Sequence, residues 1–224
     1  MGANAVTTVP VYTAGEVLTA ADMNITNSGI PVFATTVTRD AAFGGAGEKT
    51  LAEGQFAYIE ATNTTQYYDG AAWQSVAPTQ QIAIFNETQA SGTQSGASTT
   101  GSFIKRVLNT TVVNDITGCS IASSVITLPA GTYLVNAAAP FYGSGAAKIK
   151  LRNTTDSTDT IIGMSINNTE GIAGNLTGYF TIAGSKNFEI QYRVQFAVAA
   201  YGLGAECNFG VSEVYTTIQI QKVA

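Results

Sequence analysis

The sequence predicts a mostly β protein, in which an antiparallel sandwich follows a short helix and a small β-hairpin module. Short runs of alternating apolar and polar residues recur between turn residues from about residue 80 onward. Almost no segment in that part has helical spacing. Only 11% of the 224 residues are charged, so Thr, Ser, Asn and Gln must supply the polar surface, and Thr also suits pleated strands.

The first predicted segment, residues 1–30, is an extended arm followed by a helix. Residues 13–16, Thr-Ala-Gly-Glu, have the spacing of a capping box, and residues 27–29, Asn-Ser-Gly, predict the end of the helix. Val17, Leu18 and Met23 follow with rough helical spacing. A helix this short buries little surface alone, so we predict that these three residues attach the chain to a partner.

The second predicted segment, residues 31–77, is a small hairpin module. Thr38 is a candidate cap for one helical turn, and the dipeptide Asp69-Gly70 predicts a tight hairpin. Tyr58, Tyr67 and Trp73 are its prominent aromatic residues. They suit either a hydrophobic core or a platform for stacking on a sugar, and the shortage of other large residues favours the core.

The third predicted segment, residues 78–224, contains about nine strands. They are predicted at residues 82–87, 102–111, 124–128, 132–142, 148–152, 160–166, 177–182, 187–198 and 211–223. The strand at 132–142 is long and nearly apolar, which is typical of the interior of a sheet. In the strand at 187–198 alternate residues are predicted to face the core: Phe188, Ile190, Tyr192, Val194, Phe196 and Val198.

The last predicted strand has an unusual outer face. Its core positions are predicted to be Val214, Thr216, Ile218 and Ile220. The opposite face carries Tyr215, Thr217 and Gln219, none of which is charged. An uncharged outer face of this kind favours contact with another subunit.

Composition excludes several classes of function. The chain has no histidine, which removes Ser-His-Asp and Cys-His nucleophiles and His-ligated zinc. Cys119 and Cys207 are too far apart for a zinc knuckle, and we expect two buried, unpaired thiols. The net charge of −5 argues against a nucleic-acid partner, and no apolar run is long enough for a membrane helix. We therefore predict no enzyme, cofactor or metal.

A few alternatives remain open at this level. Glycoside hydrolysis needs only two carboxylates, and the candidates are Glu170, Glu189, Glu206 and Glu213. Asp156 and Asp159 suit an ordinary polar turn better than a calcium site, because the EF-hand pattern is missing. Exposed ligand-binding loops are expected at residues 92–101 and 201–209.

Three cations alternate with apolar residues in the strand at 148–152. Lys148, Lys150 and Arg152 lie on one face of that strand, with Ile149 and Leu151 on the other. This spacing favours an ordinary solvated face over a binding patch for phosphate or glycan.

Two stretches of the third segment resemble the jelly rolls of the tumour-necrosis-factor and complement globular-head families. They are residues 126–135, Ile-Thr-Leu-Pro-Ala-Gly-Thr-Tyr-Leu-Val, and residues 213–220, Glu-Val-Tyr-Thr-Thr-Ile-Gln-Ile. The resemblance implies a jelly-roll knob over 78–224 and a homotrimer with the last strand near the threefold axis. Tyr215, together with Tyr133 or Tyr179, is then expected near that axis, beside Thr217 and Gln219.

The front of the chain resembles a module of bacteriophage tail-fibre, neck and head-decoration proteins. The matching residues are 15–24, 38–41, 53–54 and 67–73. The resemblance implies a virion structural protein made in the bacterial cytoplasm, and the expected absence of a secretory signal agrees with that. The jelly roll follows with no long shaft, which favours a short appendage on the capsid or neck.

We therefore expect a homotrimeric structural protein of a phage virion, attached to other virion proteins through its N-terminal segment. A tail fibre or knob that recognises a host surface glycan is the alternative within the same class. A secreted lectin or cytokine-like ligand is a third hypothesis, supported by seven Asn-x-Ser/Thr sites and the jelly roll. The phage-like module and the lack of a secretory signal oppose this third hypothesis.

Overall fold

A computed structural model describes residues 9, 12–17, 19, 29–46, 48–76 and 80–223, with only the backbone described at Asn168. Contacts divide the chain into two compact units, Met1–Thr79 and Gln80–Ala224. Leu18, Met23 and most of the predicted first helix lie outside the described residues. Val17 is described and is largely exposed.

Among its described residues, the N-terminal unit has a four-stranded sheet and one short helix. Its elements are β1 (Val32–Phe33), α1 (Thr36–Asp40), β2 (Phe56–Ile59), a 3₁₀ turn (Glu60–Thr62), β3 (Thr64–Tyr68) and β4 (Trp73–Ser75). The strand order is β1-β2-β3-β4. β1 runs parallel to β2, and the other two pairs are antiparallel.

Helix α1 begins earlier than the sequence predicts. Thr35, and not Thr38, is its N-cap: the Thr35 hydroxyl accepts a bond from the Thr38 amide at 3.2 Å, and the Thr35 amide donates to the Thr38 hydroxyl at 3.0 Å. This reciprocal pair satisfies two amides that a helix N-terminus otherwise leaves unpaired. The second threonine of the pair occupies the position where a capping box usually has Glu or Gln, so the sequence pattern concealed the motif.

The predicted hairpin at Asp69-Gly70 is present between β3 and β4, where Tyr68 pairs with Trp73. Asp69 accepts hydrogen bonds from the amides of Ala71 and Ala72 at 2.9 and 2.7 Å. Gly70 has a φ of +95°, a backbone conformation that residues other than glycine rarely adopt. The amide bonds also lower the pKa of the Asp69 carboxyl.

The three aromatic residues predicted as the module's core do not form one cluster. Trp73 packs on the core side, against Phe43. Tyr58 and Tyr67 lie on the opposite face of the sheet, because β2 and β3 alternate and the buried positions of β2 are the small Ala57 and the aliphatic Ile59. The core described here consists of Val9, Phe33, Ala42, Ala57 and Ile59. Because Trp73 lies on one face of the sheet and the two tyrosines lie on the other, Tyr58, Tyr67 and Trp73 do not form a common platform for a sugar.

The C-terminal unit is built from twelve strands among the residues described. They are β5 (Gln81–Gln89), β6 (Ile104–Lys105), β7 (Thr110–Asn114), β8 (Ser120–Ala122), β9 (Val125–Leu128), β10 (Gly131–Tyr142), β11 (Gly145–Asn153), β12 (Thr158–Ile162), β13 (Ile166–Asn168), β14 (Gly171–Ile182), β15 (Lys186–Val194) and β16 (Glu213–Lys222).

These strands form two antiparallel sheets that enclose one core. Sheet 1 has the order β14-β10-β16-β5-β7, and sheet 2 has the order β12-β11-β15-β9-β8, with β13 beside β11 and β6 beside β15. The long apolar strand β10 lies inside sheet 1, as predicted. Large buried side chains from both sheets, such as Phe85, Phe141, Phe188 and Ile149, fill the space between them. The predicted mostly β jelly-roll sandwich is confirmed.

Two predicted strands are too long. The strand predicted at 102–111 is interrupted, because the chain passes from sheet 2, which contains β6, to sheet 1, which contains β7, and Val107 between them is exposed. The strand predicted at 187–198 ends at Val194. Beyond it the chain bends, and Phe196, which was predicted to be buried, is 55% exposed. Alternation in the sequence continues past the point where the sheet ends.

The two cysteines are unpaired, but only one of them is buried. Cys119 lies in the core, where desolvation raises the pKa of its thiol to about 11. Cys207 is exposed, so the prediction of two buried thiols is wrong for this residue. It lies in the connection between β15 and β16, which runs along the surface.

Candidate functional site

The outer face of sheet 1 carries no charged side chain among the outward-facing positions of its strands β5, β10, β14 and β16. We call this surface the uncharged face. Strand register assigns to it the residues Ile82, Ile84, Asn86, Thr132, Leu134, Asn136, Ala138, Pro140, Asn175, Thr177, Tyr179, Thr217, Gln219 and Gln221. In a water-exposed sheet such positions normally include Lys, Arg, Asp or Glu.

Register aligns these side chains in rows across the sheet. In the central row, Asn136 lies between Thr177 and Gln219, and Gln219 lies beside Ile84. The Thr177 hydroxyl donates to the Asn136 side-chain oxygen at 2.8 Å. A shallow depression of about 380 Å³ opens between this row and the next, which includes Ala138. The surface therefore combines small side chains with uncharged hydrogen-bonding groups.

Apolar side chains lie at the periphery of the same surface. Tyr179 is 65% exposed, and its neighbour in the row, Leu134, is partly buried, as are Ile82 and Ile84. An apolar and uncharged polar surface can be removed from water without the desolvation penalty that a buried charge carries. The uncharged face thus has the chemical character of a surface between protein subunits.

Three of the five predicted interface residues lie on the uncharged face, namely Tyr179, Thr217 and Gln219. Tyr133 does not. It is fully buried in the core, its hydroxyl donates to the Pro129 carbonyl at 2.7 Å, and burial raises its pKa to about 12. The alternation of β10 places its neighbour Leu134 on the outside, so the prediction of Tyr133 at an interface is wrong.

Tyr215 is covered by its own chain. Its hydroxyl donates to the Thr93 carbonyl at 2.7 Å, Gly204 packs against its ring, and only 8% of the residue is exposed. Desolvation raises the pKa of its phenol to about 12. The prediction that Tyr215 meets other subunits is therefore corrected: it anchors a loop of the same chain.

A β-bulge near the start of β16 explains why the prediction for Val214 is also wrong. The register with β5 shifts between Val214 and Thr217. Such a bulge changes which residues face inward. Thr216, Ile218 and Ile220 are buried as predicted, whereas Val214, also predicted to face the core, is 53% exposed.

A buried polar cluster, which the sequence pattern did not reveal, lies at the same end of the sandwich. Arg106 donates to the Thr216 hydroxyl at 2.7 Å, to the Leu203 carbonyl at 2.9 Å and to Glu87 at 3.2 Å. Glu87 also accepts from the hydroxyls of Ser95 and Thr216, at 2.5 and 2.9 Å. We call these residues the Arg106 cluster. Burial lowers the pKa of the Arg106 guanidinium, and the charge of Glu87 opposes that shift.

The four glutamates considered for glycoside hydrolysis either bond other groups of the protein or lie in different parts of the fold. Glu213 accepts bonds from the amides of Gly92, Cys207 and Asn208, and these bonds lower the pKa of its carboxyl. Glu189 lies 3.6 Å from the Lys105 ammonium. Glu170 is exposed beside the start of β14, and Glu206 lies in the β15–β16 connection. No group of three or more potential metal ligands occurs within the described residues.

Asp156 and Asp159, the two residues considered for a calcium site, form ion pairs with Lys and Arg side chains of the protein. Asp156 bonds the Lys186 ammonium, which lowers the pKa of its carboxyl. Asp159 bonds both Lys150 and Arg152, at 2.7 and 2.8 Å, and its pKa is lowered in the same way. These ion pairs support the ordinary turn.

Comparison with known proteins finds similarity of shape only. No protein-family model matches the sequence, and no curated protein matches it. Murine APRIL at pH 8.0 matches 65% of this chain and all of its own, with 9% identity and a TM-score of 0.43. The globular domain of the zebrafish complement 1qA protein also matches 65% of this chain and 96% of its own, with 12% identity and a TM-score of 0.41.

These scores are too low to support an argument about function, so the fold assignment rests on strand order and register. In the part of the chain that the structure describes, no helix has the length and apolar character needed to cross a membrane.

Proposed function

We propose that this chain is a non-enzymatic structural protein that assembles as a homotrimer through the uncharged face of its jelly roll. The observation that carries the proposal is the absence of charge from the outward-facing positions of β5, β10, β14 and β16. The outer face of sheet 2, by contrast, bears Lys105, Lys148 and Arg193 among others.

Self-association has a physical advantage on such a face. Burying Tyr179, Leu134 and the isoleucines of β5 would remove apolar area from water. The Asn, Gln and Thr side chains of the central row can exchange hydrogen bonds with water for bonds between subunits at little net cost. Each subunit would be stabilised by the association.

We propose further that the trimer is a component of a bacteriophage virion. The resemblance of residues 15–24, 38–41, 53–54 and 67–73 to a phage fibre and decoration module supports this role. The N-terminal unit would attach to other virion proteins, and the jelly roll would form an exposed knob on the capsid or neck. The chain would be made in the bacterial cytoplasm.

Light scattering coupled to size-exclusion chromatography tests the trimer. We expect three chains of 23.2 kDa, about 70 kDa. Tyr179→Glu places a charge on the uncharged face and should reduce the mass to that of one chain, because a buried unpaired charge opposes association. Ile162→Glu is the matched control: Ile162 is 55% exposed on the outer face of sheet 2. A monomeric parent protein, or an unchanged mass for Tyr179→Glu, contradicts the proposal.

Quantitative mass spectrometry of purified virions tests the proposed location. A copy number equal to that of the major capsid protein, or a simple fraction of it, would support capsid decoration. A few dozen copies or fewer would support a neck or tail appendage. Absence of the protein from purified particles would refute the virion role while leaving the trimer standing.

A further inference from the structure

The outer face of sheet 2 concentrates positive charge in an acidic protein. Its outward-facing positions include five of the chain's ten cations, and we call this surface the cationic face: Lys105, Lys148, Lys150, Arg152 and Arg193. Only two carboxylates, Glu189 and Asp159, lie among them. The net charge of the whole chain is −5, so this surface has the opposite sign to the rest of the molecule.

Three of these cations have partners, and two do not. Lys150 and Arg152 share Asp159, and Lys105 is close to Glu189. The side chains of Lys148 and Arg193 make no ion pair and no hydrogen bond with any described residue. Since the two stand directly opposite each other on β11 and β15, their Cβ atoms are about 5 Å apart. Like charges in that position destabilise a sheet unless an anion lies between them.

A pocket of about 530 Å³ opens over this pair of cations. Such a volume lies within the range of small-molecule sites, roughly 300–1,000 Å³. Phe103 and Ile166 supply apolar walls, and Thr100 and Ser165 supply hydroxyl groups. The Phe103 ring is held by the Lys150 ammonium, 4.1 Å from the ring centroid. The pocket thus combines two free cations, hydroxyls and an aromatic ring.

We propose that this pocket binds an acidic saccharide. Its carboxylate or sulfate would lie between Lys148 and Arg193, with the guanidinium able to donate two parallel hydrogen bonds and the ammonium acting as a point charge. The C–H face of the sugar ring would pack against Phe103, and its hydroxyls would bond Thr100 and Ser165. This activity goes beyond the structural role proposed above. It does not depend on that role, because the pocket lies on sheet 2 and shares no residue with the uncharged face.

Calorimetric or NMR titration of the full chain tests the site, with glucuronic acid, glucose 6-sulfate, glucose and sodium sulfate as probes. We expect both acidic sugars to bind with millimolar dissociation constants. Glucose should bind at least about tenfold more weakly, because it lacks the anion that the two cations recognise. Added salt should weaken binding of the acidic sugars.

Two variants and one control separate binding from folding. Lys148→Gln and Arg193→Gln should each weaken binding of glucuronic acid about tenfold or more. Neither should lower the melting temperature, because each relieves a like-charge pair. Lys105→Gln removes a cation from the same face, outside the pocket, and should leave the affinity unchanged.

Three results would overturn the proposal. The first is no binding of either acidic sugar at concentrations of tens of millimolar. The second is equal binding of glucose and glucuronic acid, which would remove the role of the cations. The third is that sodium sulfate binds as tightly as both sugars, which would make this an inorganic-anion site with no recognition of the ring.

Discussion

The Arg106 cluster makes a quantitative prediction about stability. Arg106 and Glu87 have side chains that are 0% and 1% exposed, and their charges lie 3.2 Å apart. Arg106→Met would leave the Glu87 carboxylate buried with two hydroxyl donors, from Ser95 and Thr216, and with no cation. Breaking a buried ion pair in this way costs about 3–5 kcal/mol. At about 2–4 °C per kcal/mol, the melting temperature of the C-terminal unit should fall by roughly 6–20 °C.

A double-mutant cycle isolates the interaction between the two charges. We would measure the free energy of unfolding by urea titration for Arg106→Met, Glu87→Gln and the double variant. The double variant should be less destabilised than the sum of the two single variants by at least about 1 kcal/mol, because removing both charges leaves neither buried alone. Additivity within about 0.5 kcal/mol would refute the coupling.

The location of the cluster gives this cycle a second readout. Arg106 bonds the Leu203 carbonyl, and Glu87 bonds Ser95, so the cluster ties two surface loops to the sandwich. Amide hydrogen exchange in residues 92–98 and 201–204 should accelerate in Arg106→Met. A change confined to the core strands would contradict that assignment.

Three shorter predictions concern other positions. Gly163→Ala should lower the melting temperature, since a Cβ there would lie 2.7 and 2.8 Å from backbone carbonyl oxygens of the two sheets. Cys207 should react with a thiol reagent in the native protein, whereas Cys119, buried with a pKa of about 11, should react only after unfolding. The pKa of Asp159 is lowered, so its ion pairs stabilise the fold above about pH 4 and are lost as the pH falls further. A plot of melting temperature against pH should therefore be flatter below about pH 4 in Asp159→Asn.

The parts of the fold that the sequence predicted are those governed by local pattern. The apolar run of β10 predicted an interior strand, and Asp69-Gly70 predicted a hairpin, because strand burial and turn geometry leave direct marks on neighbouring residues. Alternation also assigned Thr217 and Gln219 to the outside of β16. The prediction of Tyr133 at an interface came from the family resemblance and not from alternation. In β10 the odd-numbered set, which includes Tyr133 and Val135, is apolar, whereas the even-numbered set includes Thr132 and Asn136, so alternation alone places Tyr133 in the core.

The parts that the sequence did not predict depend on pairing between distant segments. Lys148 was predicted to face outward, and Arg193 alternates with the predicted core residues Tyr192 and Val194, yet only the register of β15 against β11 makes the two cations direct neighbours. Arg106 followed the alternation of a predicted strand, and its burial depends on Glu87, which lies 19 residues away in the chain. Such pairings are set by the tertiary fold and have no local signature.

The two outer faces of the jelly roll lead to a final prediction about their independence. The uncharged face and the cationic face belong to different sheets, and the core of Phe85, Ile149 and Phe188 lies between those sheets. The saccharide pocket is lined by residues of sheet 2 and its adjoining loops, and none of them lies on the uncharged face. A monomeric Tyr179→Glu variant should therefore bind glucuronic acid with the affinity of the parent protein, as titration calorimetry would measure. Loss of binding in that monomer, with its melting temperature retained, would mean that a neighbouring copy completes the pocket and that the two faces do not act separately.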